Sequence, residues 1–223
     1  MNILAFDTST EWCSAALWMD GDIRARAIAA GQTHSRILLP MIGELLSEAG
    51  LTLAGLDALA YGKGPGAFTG LRIACSVAQG LAMGAGLPVI GVMTLEAMAE
   101  ETGADQVVAG LDARMGEVYA AVMRRDAGRW VSLSGPGLYR PEAAPLPPSG
   151  DWIGCGSAFA AYPQELSRRY ADRLAETRVE VIPHARSIAR LAAAAHARGE
   201  GLPAEAAEPY YVRDKVALKR SER

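Results

Sequence analysis

The chain has 223 residues, half of them hydrophobic and 21% charged, so a sizeable core is available and a disordered or fibrous chain is excluded. At roughly 150 residues per domain, that length allows one large domain or two small ones. A formal net charge of −3 argues against unaided binding to nucleic acid, because neutralising several phosphates requires a basic excess or patch.

Read in chain order, residues 3–6 form a continuous apolar run expected as a central strand. Residues 13–19 and 23–29 flank Asp20-Gly21, a hairpin signal. A helix is expected from just after Thr33 to Ala49, closed by Gly50, with Leu38, Met41, Ile42, Leu45, Leu46 and Ala49 in one stripe and Pro40 kinking its first turns. Residues 56–61 read as a buried strand. In the following helix, residues 71–85, only Arg72, Ser76 and Gln79 are polar and they share one face. A helix apolar around most of its circumference must be covered on more than one side.

Further strands are expected over residues 88–92, 107–111 and 117–123, a short helix over 95–101, and a turn at residues 125–128 leading toward Trp130. Residues 141–150, rich in Pro and Ala, read as a surface loop. The strand at residues 152–156 ends in Gly154-Cys155-Gly156, where backbone should approach another group closely. Residues 187–198 form a helix stopped by Gly199, and residues 215–223 are a basic, solvated tail. A meander followed by helix, strand and helix gives an α/β chain with a mixed sheet. Cys13, Cys75 and Cys155 are odd in number and lack metal spacing, which reads as reduced thiols in a cytoplasmic protein. No signal peptide pattern opens the sequence and no run approaches the roughly 18 uncharged apolar residues of a membrane span.

The stretch Lys63-Gly64-Pro65-Gly66-Ala67-Phe68-Thr69-Gly70-Leu71-Arg72 joins an apolar strand to the least polar helix. Strand, glycine-rich turn and helix start could hold an anion. Lys63 precedes the glycines, so this is not a Walker A loop, and no acid lies about 20 residues beyond Gly64 to hold a ribose. A tight turn with glycines at special backbone positions, anchored by Phe68, is the simpler expectation.

This run resembles the signature of the TsaB family, also called YeaZ, whose usual form is Gly-Pro-Gly-Ser-Phe-Thr-Gly-Leu-Arg; only Ala67 departs from it. The opening Ile3-Leu4-Ala5-Phe6-Asp7-Thr8-Ser9-Thr10, the pieces Thr33-His34-Ser35 and Leu38-Leu39-Pro40, and Pro209-Tyr210-Tyr211-Val212-Arg213 are similar to family motifs in the same order. The resemblance implies an actin-like, ribonuclease-H-like fold of two related lobes, here residues 1–108 and 109–223, with the last residues returning to the first lobe or disordered. It implies a non-catalytic partner of a TsaD-like subunit, working with a TsaE-like ATPase to transfer a threonylcarbamoyl group to the adenosine beside the anticodon in tRNAs reading codons that start with A. ATP and a metal ion are then expected on the partner subunits, none in this chain, with tRNA met only through the complex.

The resemblance further implies that the first two helices form the partner contact, through Leu38, Met41, Ile42 and Leu45 and through Leu71, Ala74, Cys75, Ala78, Leu81 and Ala82, and that an isolated chain can use it as a homodimer. The signature loop comprises Gly64, Pro65, Gly66, Phe68, Thr69, Gly70 and Arg72. Asp7 and Asp112, at matched strand ends, stand where actin-like ATPases hold a magnesium-bound phosphate. Ser9 and Arg114 replace the glycines expected two places on, so the two acids read as vestigial carboxylates capping turns. The alternative is a stand-alone ATPase or phosphotransferase using Asp7 and Asp112. His34, His184 and His196 lack the paired spacing of the metal site in catalytic relatives.

Overall fold

In a computed structural model, residues 1–213 are described. β1 (Asn2–Asp7), β2 (Trp12–Met19) and β3 (Asp22–Ala29) form a meander whose hairpin turns at Asp20 (φ 48°) and Gly21 (φ 107°). Then come α1 (His34–Ala49), β4 (Ala58–Gly64), α2 (Phe68–Ala85) and β5 (Val89–Met93), completing a sheet of order β3-β2-β1-β4-β5. α1 ends at Gly50 in the left-handed region, as its sequence predicts, and runs unbroken through Pro40, which lies on the exposed face where a lost backbone hydrogen bond meets water.

α3 (Thr94–Thr102) leads into β6 (Gln106–Arg114), β7 (Glu117–Asp126), β8 (Arg129–Tyr139) and β9 (Trp152–Cys155). α4 (Ser157–Ala161), α5 (Pro163–Tyr170), β10 (Leu174–Arg178) and α6 (Ala185–Ala197) follow. The second sheet has the order β10-β9-β6-β7-β8. In each sheet the leading strand is central, antiparallel to the next strand and parallel to the fourth, so the second half repeats the first. This duplication is the actin-like, ribonuclease-H-like fold.

Period-two alternation sorts β1 onto two cores. Leu4 and Phe6 pack with α1 and α2 on one face of the first sheet. Ile3 and Ala5 meet Ala185, Ile188, Ala189 and Ala192 of α6 on the other. Leu95, Met98 and Ala99 of α3 cover one face of the second sheet, and Phe159, Leu166 and Tyr170 the opposite one. α3 and α6 therefore lie between the sheets, where the Ser187 hydroxyl donates to Glu101 Oε2 (2.5 Å).

β6 spans Gln106–Arg114, so a boundary at 108/109 falls inside a strand. α6 packs on the first sheet, and residues 207–211 bond to β4 and α2. The tail at residues 215–223 lies outside the described residues. Among the described residues no helix is long and apolar enough to cross a membrane.

The partner contact expected through the helix stripes needs correction. Leu38, Met41, Ile42 and Leu45 of α1, and Leu71, Ala74, Cys75, Ala78 and Ala82 of α2, are buried within the chain, and Leu81 is partly buried. A 3.6-residue stripe marks the face turned to the sheet, and Leu45 (1% exposed) and Ala78 (0%) have no surface to offer. The outward residues of these helices are instead Leu39 (50%), Met83 (70%), Gly43, Gly80 and Gly84. Leu45→Ala should therefore lower unfolding free energy by about 2–5 kcal/mol in urea, and Leu39→Ala by under about 1 kcal/mol. Equal losses at the two positions would contradict this placement.

Candidate functional site

The signature loop lies against the turn that ends β1. A Cβ on Gly62 would stand 1.8 Å from Asp7 Oδ2, one on Gly70 1.8 Å from the Thr8 carbonyl, and one on Gly66 2.5 Å from the Ser9 carbonyl. Gly66 and Gly70 admit backbone against backbone, Gly62 admits the Asp7 carboxylate, and the contact is bonded: Ala67 N donates to Ser9 O (2.7 Å) and Thr8 Oγ1 to Gly70 O (2.7 Å). Pro65 follows a cis peptide bond and its carbonyl accepts from Thr94 Oγ1 (2.5 Å). The glycines thus serve packing at the strand end. Ala67 is the N-cap of α2, and no side chain caps that helix.

Asp7 is 1% exposed. Its Oδ1 accepts from the amide (2.9 Å) and hydroxyl (2.8 Å) of Ser9, while Oδ2 is buried without a partner. Burial pushes its carboxyl up to about 7, against the smaller opposing pull of the Ser9 hydrogen bonds. Asp112 Oδ1 accepts from Arg114 N (2.8 Å) and from the Tyr162 hydroxyl (3.1 Å), and Oδ2 faces the Arg114 guanidinium at 3.0 Å. Each acid caps a turn by accepting from the amide two residues on, as the sequence suggests.

Between the lobes opens a cavity of about 970 Å³, lined in part by Ser9, His34, Phe68, Asp112, Arg114, Tyr119 and Tyr211. The two acids do not meet across it as a pair, because Asp7 is sealed beneath the glycine loop while Asp112 reaches the wall. His184 caps α6, its Nδ1 accepting from Arg186 N (3.1 Å), His196 sits in the last turn of that helix, and His34 stands at the start of α1. Among the described residues no group of three or more His, Cys, Asp or Glu side chains could hold a metal ion.

A strap at residues 207–213 closes one side of the site. Tyr210 N donates to Lys63 O (2.7 Å), Tyr61 Oη to Glu208 O (2.9 Å) and Arg72 Nε to Tyr211 Oη (3.0 Å). Arg72 also stacks over Phe68, 3.8 Å from the ring centre, and Phe68 lies 5.2 Å from the Tyr211 ring. Arg213 then pairs with Glu117 of the second lobe (2.6 Å). In the sequence this strap is marked by the motif Pro209-Tyr210-Tyr211-Val212-Arg213, whose residues carry no local signal of the contacts they make.

The duplicated fold and strand-end site define an actin-like protein of the class whose family model is described as TsaD, tRNA N6-adenosine threonylcarbamoyltransferase, which matches residues 28–220. The chain is 41% identical to the tRNA threonylcarbamoyladenosine biosynthesis protein TsaB of Escherichia coli K12, over 99% of this chain and 98% of that protein. It is 36% identical to TsaB of Haemophilus influenzae, over 99% and 97%. Among solved structures, YeaZ from Pseudomonas aeruginosa matches with a TM-score of 0.86 and 40% identity, over 94% of this chain and 99% of that one. A second structure, described as an uncharacterized protein with similarity to peptidase YeaZ from Pseudomonas aeruginosa, gives 0.88 and 39%, over 95% and 99%. The chain belongs to the TsaB family, also called YeaZ.

Two outcomes are expected. Ala67→Ser introduces an N-cap hydroxyl and should stabilise the fold by about 0.5–2 kcal/mol in thermal or urea unfolding; no gain would show that the hydroxyl does not reach the first-turn amides of α2. For Asp7, the folded value of about 7 lies above the ordinary carboxylate value of 3.8. The unfolded state therefore loses its proton first, and stability falls as pH rises from about 4 to 7. Unfolding free energies of Asp7→Asn and the native chain should diverge across that window by a few kcal/mol, with the variant the more stable above pH about 7. Parallel pH profiles would mean that Asp7 is not isolated from water.

Proposed function

We propose that this chain is a non-catalytic subunit in the biosynthesis of threonylcarbamoyladenosine in tRNA. It binds and supports a TsaD-like catalytic subunit, with a TsaE-like ATPase completing the machine. The observation that carries this reading is its end-to-end kinship with TsaB proteins. The chemistry of the site is consistent with it: Asp7 is sealed from the cleft and Asp112 is engaged by Arg114 and Tyr162. On this reading the two carboxylates are vestiges of a phosphate site, and ATP, the metal ion and the main tRNA contacts belong to the partners. The net charge of −3 is in keeping with tRNA being met through the complex.

The partner face is the outer side of α1 and α2. Leu39 and Met83 are exposed apolar side chains there, and Gly43, Gly80 and Gly84 have open space where a Cβ would stand, which lets another helix approach closely. The same face can pair two copies of this chain when the partner is absent. The contact residues are thus these outward positions, while the buried stripe from Leu38 to Leu45 and from Leu71 to Ala82 holds the helices at the correct angle.

The test is reconstitution of tRNA modification with each of the three proteins omitted in turn, together with partner affinities. Leu39→Glu and Met83→Glu should keep the fold and weaken association by tenfold or more, at least about 1.4 kcal/mol, since each buries an unpaired charge in the seam. Asp7→Asn should leave modification within a few-fold of the native rate. Full modification without this chain would overturn the reading, and unchanged affinity in both glutamate variants would place the interface elsewhere.

A further inference from the structure

A second cavity, of about 450 Å³, opens beside β5 and shares no lining residue with the interlobe cavity. β4 and β5 supply one wall, Leu191 and Ala194 of α6 another, and the β7–β8 turn reaches it from the second lobe. Its size is that of a small-molecule pocket. The lining carries three basic side chains, Lys63, Arg129 and Arg198, and three acidic ones, Glu96, Glu200 and Glu208, so the space as a whole selects neither an anion nor a cation. Arg129 and Arg198 both pair with Glu200, at 3.4 Å and 2.8 Å, and Glu208 is exposed to water.

Lys63 and Glu96 are left. Both are partly buried, and neither forms an ion pair or a side-chain hydrogen bond with another described residue. Their charged atoms are not sealed from the cavity, unlike Asp7 Oδ2. Gly91 lets the Lys63 stem lie across β5, since a Cβ there would stand 2.9 Å from Lys63 Cδ, and Glu96 stands in the first turn of α3. Burial raises the Glu96 carboxyl above its ordinary range and the Lys63 charge opposes that shift, so the two groups act on each other across the space without pairing. A cation and an anion held apart in a partly apolar cavity each lose water without gaining a partner, a cost that one molecule bearing both opposite charges removes. We propose that this cavity binds a small zwitterion of the α-amino acid class, its carboxylate on Lys63 Nζ, its ammonium on the Glu96 carboxylate and its side chain against Leu191 and Ala194. The inference rests on neither the partner face nor the strand-end site.

The test is a ¹H–¹⁵N NMR titration of the full chain with glycine, L-serine, L-leucine and L-phenylalanine, each alone at matched ionic strength. At least one should give saturable shifts, millimolar or tighter, confined to residues 61–63, 89–96 and 191–195. For the tightest of the four, the carboxylic acid lacking the ammonium and the amine lacking the carboxylate should each bind about tenfold or more weakly. Glu96→Gln and Lys63→Met should weaken the amino acid by the same factor, about 1.4 kcal/mol or more. Glu96→Gln keeps the shape of the side chain, so it keeps the test decisive if Lys63→Met fails to fold. The inference is overturned if none of the four amino acids gives a saturable shift, in which case water or direct pairing satisfies the two charges. It is equally overturned if the singly charged analogues bind as tightly as the amino acid, if the shifts map to exposed charges elsewhere, or if affinity is unchanged in the folded variants.

Discussion

Gly62, Gly66 and Gly70 bring β4 and the start of α2 onto the Asp7–Ser9 turn, and this close approach sets the first lobe and its site. With carbonyl oxygens and a carboxylate closer than 3 Å to the positions Cβ atoms would take, no larger residue fits there without moving a central strand. The contact fixes the height of α2 on the first sheet and, through Ala67 and Thr8, its direction. The same contact takes Asp7 out of water and leaves one of its oxygens unpaired. A cost in stability near neutral pH is therefore built into the element that positions everything else.

That burial bears on chemistry as well as stability. A carboxylate that is to hold a metal-bound phosphate must face the ligand, and here the glycine loop stands over it. Asp112 is nearer the cleft but is occupied by a turn amide, a tyrosine hydroxyl and a guanidinium. The cleft stays open between the lobes, with residues 207–213 along one side of it, from Lys63 and Arg72 to Glu117. Two lobes with an exposed apolar helix face are in keeping with the proposed supporting role.

Much of this was legible in the sequence where the signal is local. The Asp20-Gly21 hairpin, the Gly50 stop, the apolar runs of β1 and β4 and the close approach at Gly154-Cys155-Gly156 all follow from short-range rules. Gly156, at φ 100°, would place a Cβ 2.1 Å from Met98 Cε. The signature loop was found but its partner was not, because Gly62 and Asp7 are far apart in the chain. The apolar stripes of α1 and α2 follow from periodicity, which cannot distinguish a sheet from a partner as what covers them. β8 was missed because Ser132, Ser134, Gly135, Pro136 and Gly137 interrupt its alternation, and the Arg72–Tyr211 bond joins residues 139 apart.

If, as proposed, the sealed strand-end site does no chemistry, the isolated, folded chain and Asp7→Asn should both release phosphate from magnesium ATP no faster than buffer alone. Steady turnover by the native chain that disappears in the asparagine variant would contradict it, because Asp7 would then have to reach a nucleotide through the loop that covers it.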